Sequence, residues 1–275
     1  MQQRAYLAVL MAALLAGVSG VFVKSISLPP AAFAAIRCGV PVLLMGVLLL
    51  MLGRNPFHGN LRLMAFASLL NALRMYLFIY AYRHAPISQA IVVFYTWPLF
   101  TTVYSAIFLR EIITRRQVVL LLLAFAGLVV VNLREGFSLS DPNVLGLGAA
   151  LFHAATYALT VVIFKREGQH YSPPETILFQ NLAGAFIFLP FLLLATPTLA
   201  DWGLSITHGA LMGTGGFFLF FYGLQRLPAS RASMLTYVEV LSAAAFGILL
   251  FGDRPGWQLL VGGALILGST ALIRR

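Results

Sequence analysis

Charge is scarce in this chain. Only 9% of its 275 residues are Asp, Glu, Lys or Arg, where a soluble domain carries about 25%. Acids are scarcer still, eight against eighteen Lys and Arg. Cysteine occurs once, at Cys38, which excludes an intramolecular disulfide framework and a cysteine-rich metal site. There is no CxxC pair, no HExxH helix, no Walker loop and no GxSxG elbow. Zinc hydrolysis, P-loop chemistry and serine-hydrolase chemistry therefore have no foothold. No metal or cofactor is expected.

What the chain has instead is apolar surface: 60% hydrophobic residues and a mean hydropathy of +0.92. One soluble core of this size cannot hide so much of it, whereas lipid can act as its solvent. The formal charge of +10 is not a nucleic-acid signal, because the basic residues lie mostly in short connections between apolar runs, where a topology code places them. Met1 to Arg4 followed by an apolar run to Val23 resembles a signal peptide. Many further apolar spans follow, so it reads as a retained first helix.

Helix-length apolar segments are expected at 5–23, 31–52, 61–83, 86–109, 116–133, 144–165, 173–194, 204–225, 229–251 and 256–273. Each is long enough to cross a hydrocarbon core of about 30 Å. The runs are continuous and show no alternation of period two, so they are helices and not barrel strands. The longest expected connection, Arg134 to Asn143, leaves no room for a soluble domain. The expected fold is an all-α integral membrane protein of ten transmembrane helices. With both termini cytoplasmic, the inner segments hold Arg4, Arg54, Arg62, Arg110, Arg115, Arg116, Lys165, Arg166, Arg226, Arg274 and Arg275, and the outer ones only Lys24, Arg83, Arg134 and Arg254. The positive-inside rule favours that orientation in an inner (plasma) membrane.

The two halves echo each other. At an offset of 142, Tyr80, Pro86, Ser88, Ala90, Tyr95 and Leu99 meet Tyr222, Pro228, Ser230, Ala232, Tyr237 and Leu241, and Glu111 meets Asp253. Leu28-Pro29-Pro30 answers Ser172-Pro173-Pro174, and Lys24 answers Lys165. Five spans per half is an odd number, so residues 1–138 and 139–275 are expected to form two repeats inserted in opposite senses. Inverted repeats of this kind underlie alternating access, with the substrate near the midplane.

These residues are similar to the drug/metabolite transporter superfamily, in its EamA-type branch. Ten helices, a five-plus-five inverted repeat and cytoplasmic termini all match that resemblance. So does the run Tyr80, Pro86, Ser88, Gln89, Ala90 leading to Pro98 and Leu109-Arg110-Glu111, repeated as Tyr222, Pro228, Glu239 and Phe251-Gly252-Asp253. Members often show Glu-Pro in the fourth helix of each repeat. Here the pair is divided, Trp97-Pro98 in one copy and Glu239-Val240 in the other. Tyr95-Thr96-Trp97-Pro98 resembles a stretch of the aromatic amino acid exporters of this branch. The resemblance implies export of amino acids, other metabolites or toxic compounds, commonly by proton exchange, through a cavity lined by helices four and nine.

Polar groups are expensive in hydrocarbon and face a cavity or a partner. Near mid-span lie Asn71 and Arg74 in helix three, Trp97 in four, His153 in six, Gln180 and Asn181 in seven and Glu239 in nine, with Arg37 about a third of the way into helix two. Helical phase adds Phe78 and Tyr82 to the Asn71 face, Thr101 to the Trp97 face and Tyr157 to the His153 face. The same phase turns Tyr95 and Tyr237 away. Glu239 reads as a proton-coupling carboxylate, or else as a structural partner of Arg37 or Arg74. His153 reads as a proton relay or a satisfied core residue. Asn71, Gln180 and Asn181 read as substrate contacts or interhelical glue.

Two interior arginines against one glutamate leave net positive charge, which suits a substrate carboxylate. Aromatic lining suits a bulky side chain, so an amino acid with a large or aromatic side chain fits both. The expected function is a secondary transporter with a small-molecule substrate, a bilayer and a proton gradient as its partners, monomeric by default. A lipophilic-cation, multidrug or nucleotide-type transporter is the alternative. A non-transporting scaffold and a membrane enzyme are the readings from other classes, and the enzyme lacks an assembled set of catalytic groups. The glycines of helices five and ten, Gly127, Gly262, Gly263 and Gly268, suit close packing or a dimer contact.

Overall fold

The computed structural model describes residues 2–85, 87–132, 144–252 and 256–273, without the side chains of Val23, Lys24, Tyr82, Ile87, Ser88 and Phe251. The Arg134–Asn143 connection, the boundary at 138, Pro86, Asp253, Arg254 and the terminal arginines lie outside the described residues, as do the side chains of Tyr82, Lys24 and Ser88.

Among the described residues, nine helical spans are long and apolar enough to cross a membrane: α1 Gln2–Phe22, α2 Pro30–Met51, α3 Leu61–Ala81, α4 Gln89–Phe108, α5 Arg115–Asn132, α6 Val144–Glu167, α7 Pro173–Leu193, α8 Leu199–Arg226 and α9 Ala229–Leu250. A shorter apolar helix, α10 Trp257–Ile273, completes the set. The chain is an integral membrane protein, and its outward side chains say so: Leu50, Phe152, Leu249 and Leu260 are each more than two-thirds exposed, tolerable only against lipid. The largest shift from the sequence-based boundaries is at α8, which begins at Leu199 and not at 204. Thr198 and Asp201 form a reciprocal capping box there, with Thr198 Oγ1 accepting from the Asp201 N–H at 3.1 Å, and this adds a turn before the apolar run.

The packing repeats on exchange of the halves. α1 lies on α8 and α9, α2 on α7 and α8, α3 on α6 and α7, α4 on α6 and α9, and α5 on α10. Adding five to each number, modulo ten, returns the same pairs. The α5–α10 pair stands on two glycines. A Cβ at Gly262 would lie 2.4 Å from the Gly127 carbonyl oxygen, and one at Gly127 would lie 2.6 Å from the Gly262 carbonyl. These two glycines therefore serve a contact within the chain.

Three spans are interrupted. α1 breaks at Gly17 and Val18, α4 at Tyr95 and Thr96, and α9 at Thr236 and Tyr237. In α4 the cause is Pro98, which brings no N–H and crowds the carbonyl four residues back. In α9 it is a chain of hydroxyls turned on their own backbone: Ser233 donates to Ser230 O at 3.0 Å and Thr236 to Ser233 O at 2.6 Å, a habit that bends helices. The α1 break leaves carbonyls that Ser242 of α9 partly fills, donating to Leu14 O at 3.0 Å. In α8, residues Gly209–Gly216 are π-helical, which brings Gly213 against Pro41 of α2, where a Cβ would meet the ring at 2.7 Å.

One carboxylate outside the spans ties the halves together. Glu111 accepts from the N–H of Ala229 at 2.6 Å and from the hydroxyl of Ser230 at 2.9 Å, capping the start of α9. Arg110 before it adopts φ 54°, a left-handed conformation that costs about 1–2 kcal/mol for a residue with a Cβ. It returns the Glu111 N–H to Ser105 O at 3.2 Å and so aims the carboxylate.

The glycine contact can be tested directly. Gly262→Ala is expected to lower the thermal midpoint of the purified protein by the equivalent of about 1–3 kcal/mol. Gly268→Ala, where an added Cβ meets nothing within 4 Å, is expected to leave it unchanged.

Candidate functional site

Arg74 of α3 is the centre of a polar cluster closed off by α6 and α7. It is only 7% exposed. Its Nε donates to Asn71 Oδ1 at 2.9 Å, and Asn71 Nδ2 donates onward to the Gln180 carbonyl of α7 at 2.6 Å. Its guanidinium sits 4.3 Å from the centre of the Tyr157 ring of α6, a cation–π contact strengthened by desolvation. Arg74 Nη2 and Gln180 Oε1 are both buried and without a partner. One is a donor of a cation and the other a neutral acceptor, and the same asparagine links the two residues. A ligand group presenting an oxyanion beside an N–H would satisfy both.

Aromatic rings line one side. Trp97 lies 4.7 Å from Tyr157 between centroids, and Phe220 of α8 lies 6.5 Å from Trp97. Phe78 stacks on Phe94 at 5.1 Å, and His153 lies 4.6 Å from Phe94. His153 Nδ1 is 2.8 Å from the Arg74 carbonyl. A carbonyl only accepts, so this nitrogen carries the proton and the imidazole is committed to holding α6 on α3. That is the satisfied-core arrangement.

Other expected members are directed elsewhere. Thr101 donates to Trp97 O at 2.9 Å and Asn181 to Ile177 O at 2.9 Å, each within its own helix. Arg37 of α2 donates to Met75 Sδ at 3.3 Å, close enough to Arg74 for the two charges to interact. Neither arginine pairs with Glu239: the one side-chain ion pair among the described residues is His58–Glu175 at 2.9 Å, away from this cluster. Glu239 instead has Tyr95 as a polar neighbour, and the Tyr237 hydroxyl donates to Tyr95 O at 2.9 Å. Tyr95 was expected to turn away from the Trp97 face and Tyr237 from the Glu239 face. That expectation assumed unbroken helices, and the interruptions at 95–96 and 236–237 reset the phase.

Sequence reasoning also missed His208 and Ser205, buried in α8, and Glu111. His208 was legible as a histidine inside an apolar run, four residues from the expected start of that span. A cavity of about 440 Å³ opens between the α2–α3 connection and the end of α6, lined by Gly59, Asn60, Arg166, Glu167, Gln169 and His170. It is a polar surface cleft and not the arginine cluster.

The EamA-like transporter family matches the sequence twice, over residues 3–133 and 144–275. The pseudopaline exporter CntI of Pseudomonas aeruginosa is 27% identical over 256 residues, covering 91% of this chain and 88% of its own. Solute carrier family 35 member G1 of Mus musculus is 25% identical, covering 96% and 77%. The S-adenosylmethionine uptake transporter of Rickettsia prowazekii is 24% identical over 70% and 65%. One crystal structure superposes with a TM-score of 0.87 over 98% of this chain and 97% of that one, at 21% identity, which establishes the fold.

The two asparagines separate interhelical tie from local bond. Asn71→Ala strips the Arg74 Nε and the Gln180 carbonyl of their shared partner, and a loss equivalent to about 1–3 kcal/mol is expected in thermal unfolding. Asn181→Ala, which frees one intrahelical carbonyl, is expected to cost less. Equal losses would show that the Asn71 bridge does not hold α3 to α7.

Proposed function

The chain belongs to the EamA-like transporter family, and on that premise we propose that it is a secondary transporter exporting amino acids with bulky or aromatic side chains, by alternating access coupled to protons. Membrane transport of small metabolites is common to its relatives, whose names include an exporter and an uptake system; none is named as an enzyme. The finer reading rests chiefly on one observation, that Arg74 Nη2 and Gln180 Oε1 are both buried and unpartnered on two residues joined by Asn71. An α-carboxylate takes the guanidinium edge and an α-ammonium donates to the amide oxygen. Trp97 and Tyr157 then receive an apolar or aromatic side chain.

In this reading residues 1–138 and 139–275 are two inverted units in a plasma membrane, with both termini cytoplasmic. The breaks in α4 and α9 face each other across the centre and let the two walls bend. Glu239 carries the coupling proton. Among the described residues no guanidinium pairs with it, so its charge is free to change between the two facings. Asn71 and Gln180 act as head-group contacts. His153 supports Arg74 from behind through its Nδ1–H and does not carry the coupling proton. A lipophilic-cation substrate is the second reading. It requires Glu239 to outweigh two arginines, and for that reason it ranks lower.

The test is counterflow of labelled phenylalanine, tryptophan and leucine in proteoliposomes. Wild type is expected to exchange, Glu239→Gln to exchange without responding to a pH gradient, and Arg74→Gln to lose exchange by a factor of about 100 or more, the scale of a buried charged hydrogen bond. Absence of exchange in folded wild type would discard the amino acid reading, and retained gradient response in Glu239→Gln would remove the coupling role.

A further inference from the structure

We propose that Arg37, His208, Ser205 and Ser19 form a second polar station that binds an acidic group at the far end of the substrate, so that the favoured substrates carry two anionic groups. The proposal rests on the reading of Arg74 as the head-group site and extends it toward α8.

Ser205 and His208 share one face of α8 at the i, i+3 spacing and are 0% and 2% exposed. Ser205 Oγ and His208 Nδ1 have no partner. Two orphaned polar atoms side by side in a lipid-embedded bundle are costly, about 1–3 kcal/mol each, and such pairs are rare without a ligand or water to meet them. The imidazole is nevertheless fixed in orientation. Its Nε2 lies 3.3 Å from Ser19 Oγ, and the rings of Phe22 and Phe33 stand 5.5 and 5.2 Å from it.

Arg37 faces the same region from α2, which packs on α8 here: a Cβ at Gly213 would lie 3.2 Å from the Arg37 carbonyl oxygen, and one at Gly209, next to His208, 2.9 Å from Val40. The thioether of Met75 is a weak acceptor, and no carboxylate of the described residues lies within 4 Å of Arg37. Backbone irregularity gathers here as well. Pro41 brings no N–H to the Arg37 carbonyl, and α8 turns π-helical at Gly209, the residue after His208. Such π-helical turns recur at functional sites.

The donor set defines the ligand. With the Ser19 hydroxyl donating to Nε2, His208 presents an Nδ1–H, and a guanidinium fork, a hydroxyl and that N–H match a carboxylate or similar planar oxyanion, while the arginine repels a cation. Arg37 donates to Met75, the residue after Arg74, so α2 and α3 bring the two arginines to the same depth, as a substrate with an acid at each end requires.

The first measurement is the thermal midpoint of the purified full-length protein with benzoate or terephthalate, which lack an amino group and differ by one carboxylate. Terephthalate is expected to stabilise wild type at about tenfold lower concentration than benzoate. Arg37→Gln and Ser205→Ala are expected to abolish that difference and keep the benzoate response. Ser205→Ala removes a hydroxyl that bonds to nothing, so it folds whether or not the arginine variant does. Equal effects of the two acids on wild type, or a difference that survives in Ser205→Ala, overturns the station. Counterflow of phenylalanine against 4-carboxyphenylalanine separates the two ideas. Exchange of neither alongside a terephthalate preference discards the amino acid reading and keeps the station. Exchange of both with equal affinity, and no terephthalate preference, does the reverse.

Discussion

A guanidinium held inside a lipid-embedded bundle without a carboxylate beside it is the constraint that organises this molecule. Arg74 keeps its charge tolerable by spreading it: Nε to Asn71, the flat face to Tyr157, and its own backbone carbonyl to His153. Tyr157 and His153 belong to α6 and Asn71 is tied to α7, so α3, α6 and α7 meet at this point because the arginine requires it. A hydrophobic residue at 74 would pack there more easily. The arrangement is intelligible as one that keeps a directional positive charge available, with one edge unspent.

The acid of the interior is kept apart from that charge. Glu239 sits at the break of α9 near Tyr95 of the α4 break, and the Tyr237 hydroxyl donates to Tyr95 O. The two interruptions are thus joined to each other through two tyrosines, next to the carboxylate. In hydrocarbon a broken helix is tolerated only where freed backbone groups find partners or line a cavity. Here hydroxyls of Ser233, Thr236 and Ser242 supply several of them. A charge change at Glu239 would act where the backbone of both walls is weakest, which is a physical route from proton binding to a change of shape.

Much of the fold was legible in the residues. The ten spans follow from apolar run length alone, because hydrocarbon admits no unpaired backbone and its thickness sets the length. The polar residues of the middle were legible for the same reason: Asn71, Arg74, His153, Gln180 and Glu239 stand out against an apolar background. Their partners were not. Asn181 and Thr101 spend their hydrogen bonds on their own helices, Glu239 avoids the arginines expected to pair with it, and His153 meets a backbone carbonyl that no pattern of side chains reveals.

What the sequence by itself determined is the solvent, the number of crossings and the depth of each charge, since these depend on local hydropathy and length. What only the tertiary structure decided is which polar groups meet. That outcome depends on helix phase, and phase was reset by Pro98 in α4, by hydroxyl back-bonding in α9 and by the π-helical stretch of α8. A break of one or two residues rotates everything beyond it, by about 100° per residue at 3.6 residues per turn. It thereby changes which groups meet across helices, as where the Tyr237 hydroxyl reaches Tyr95 O.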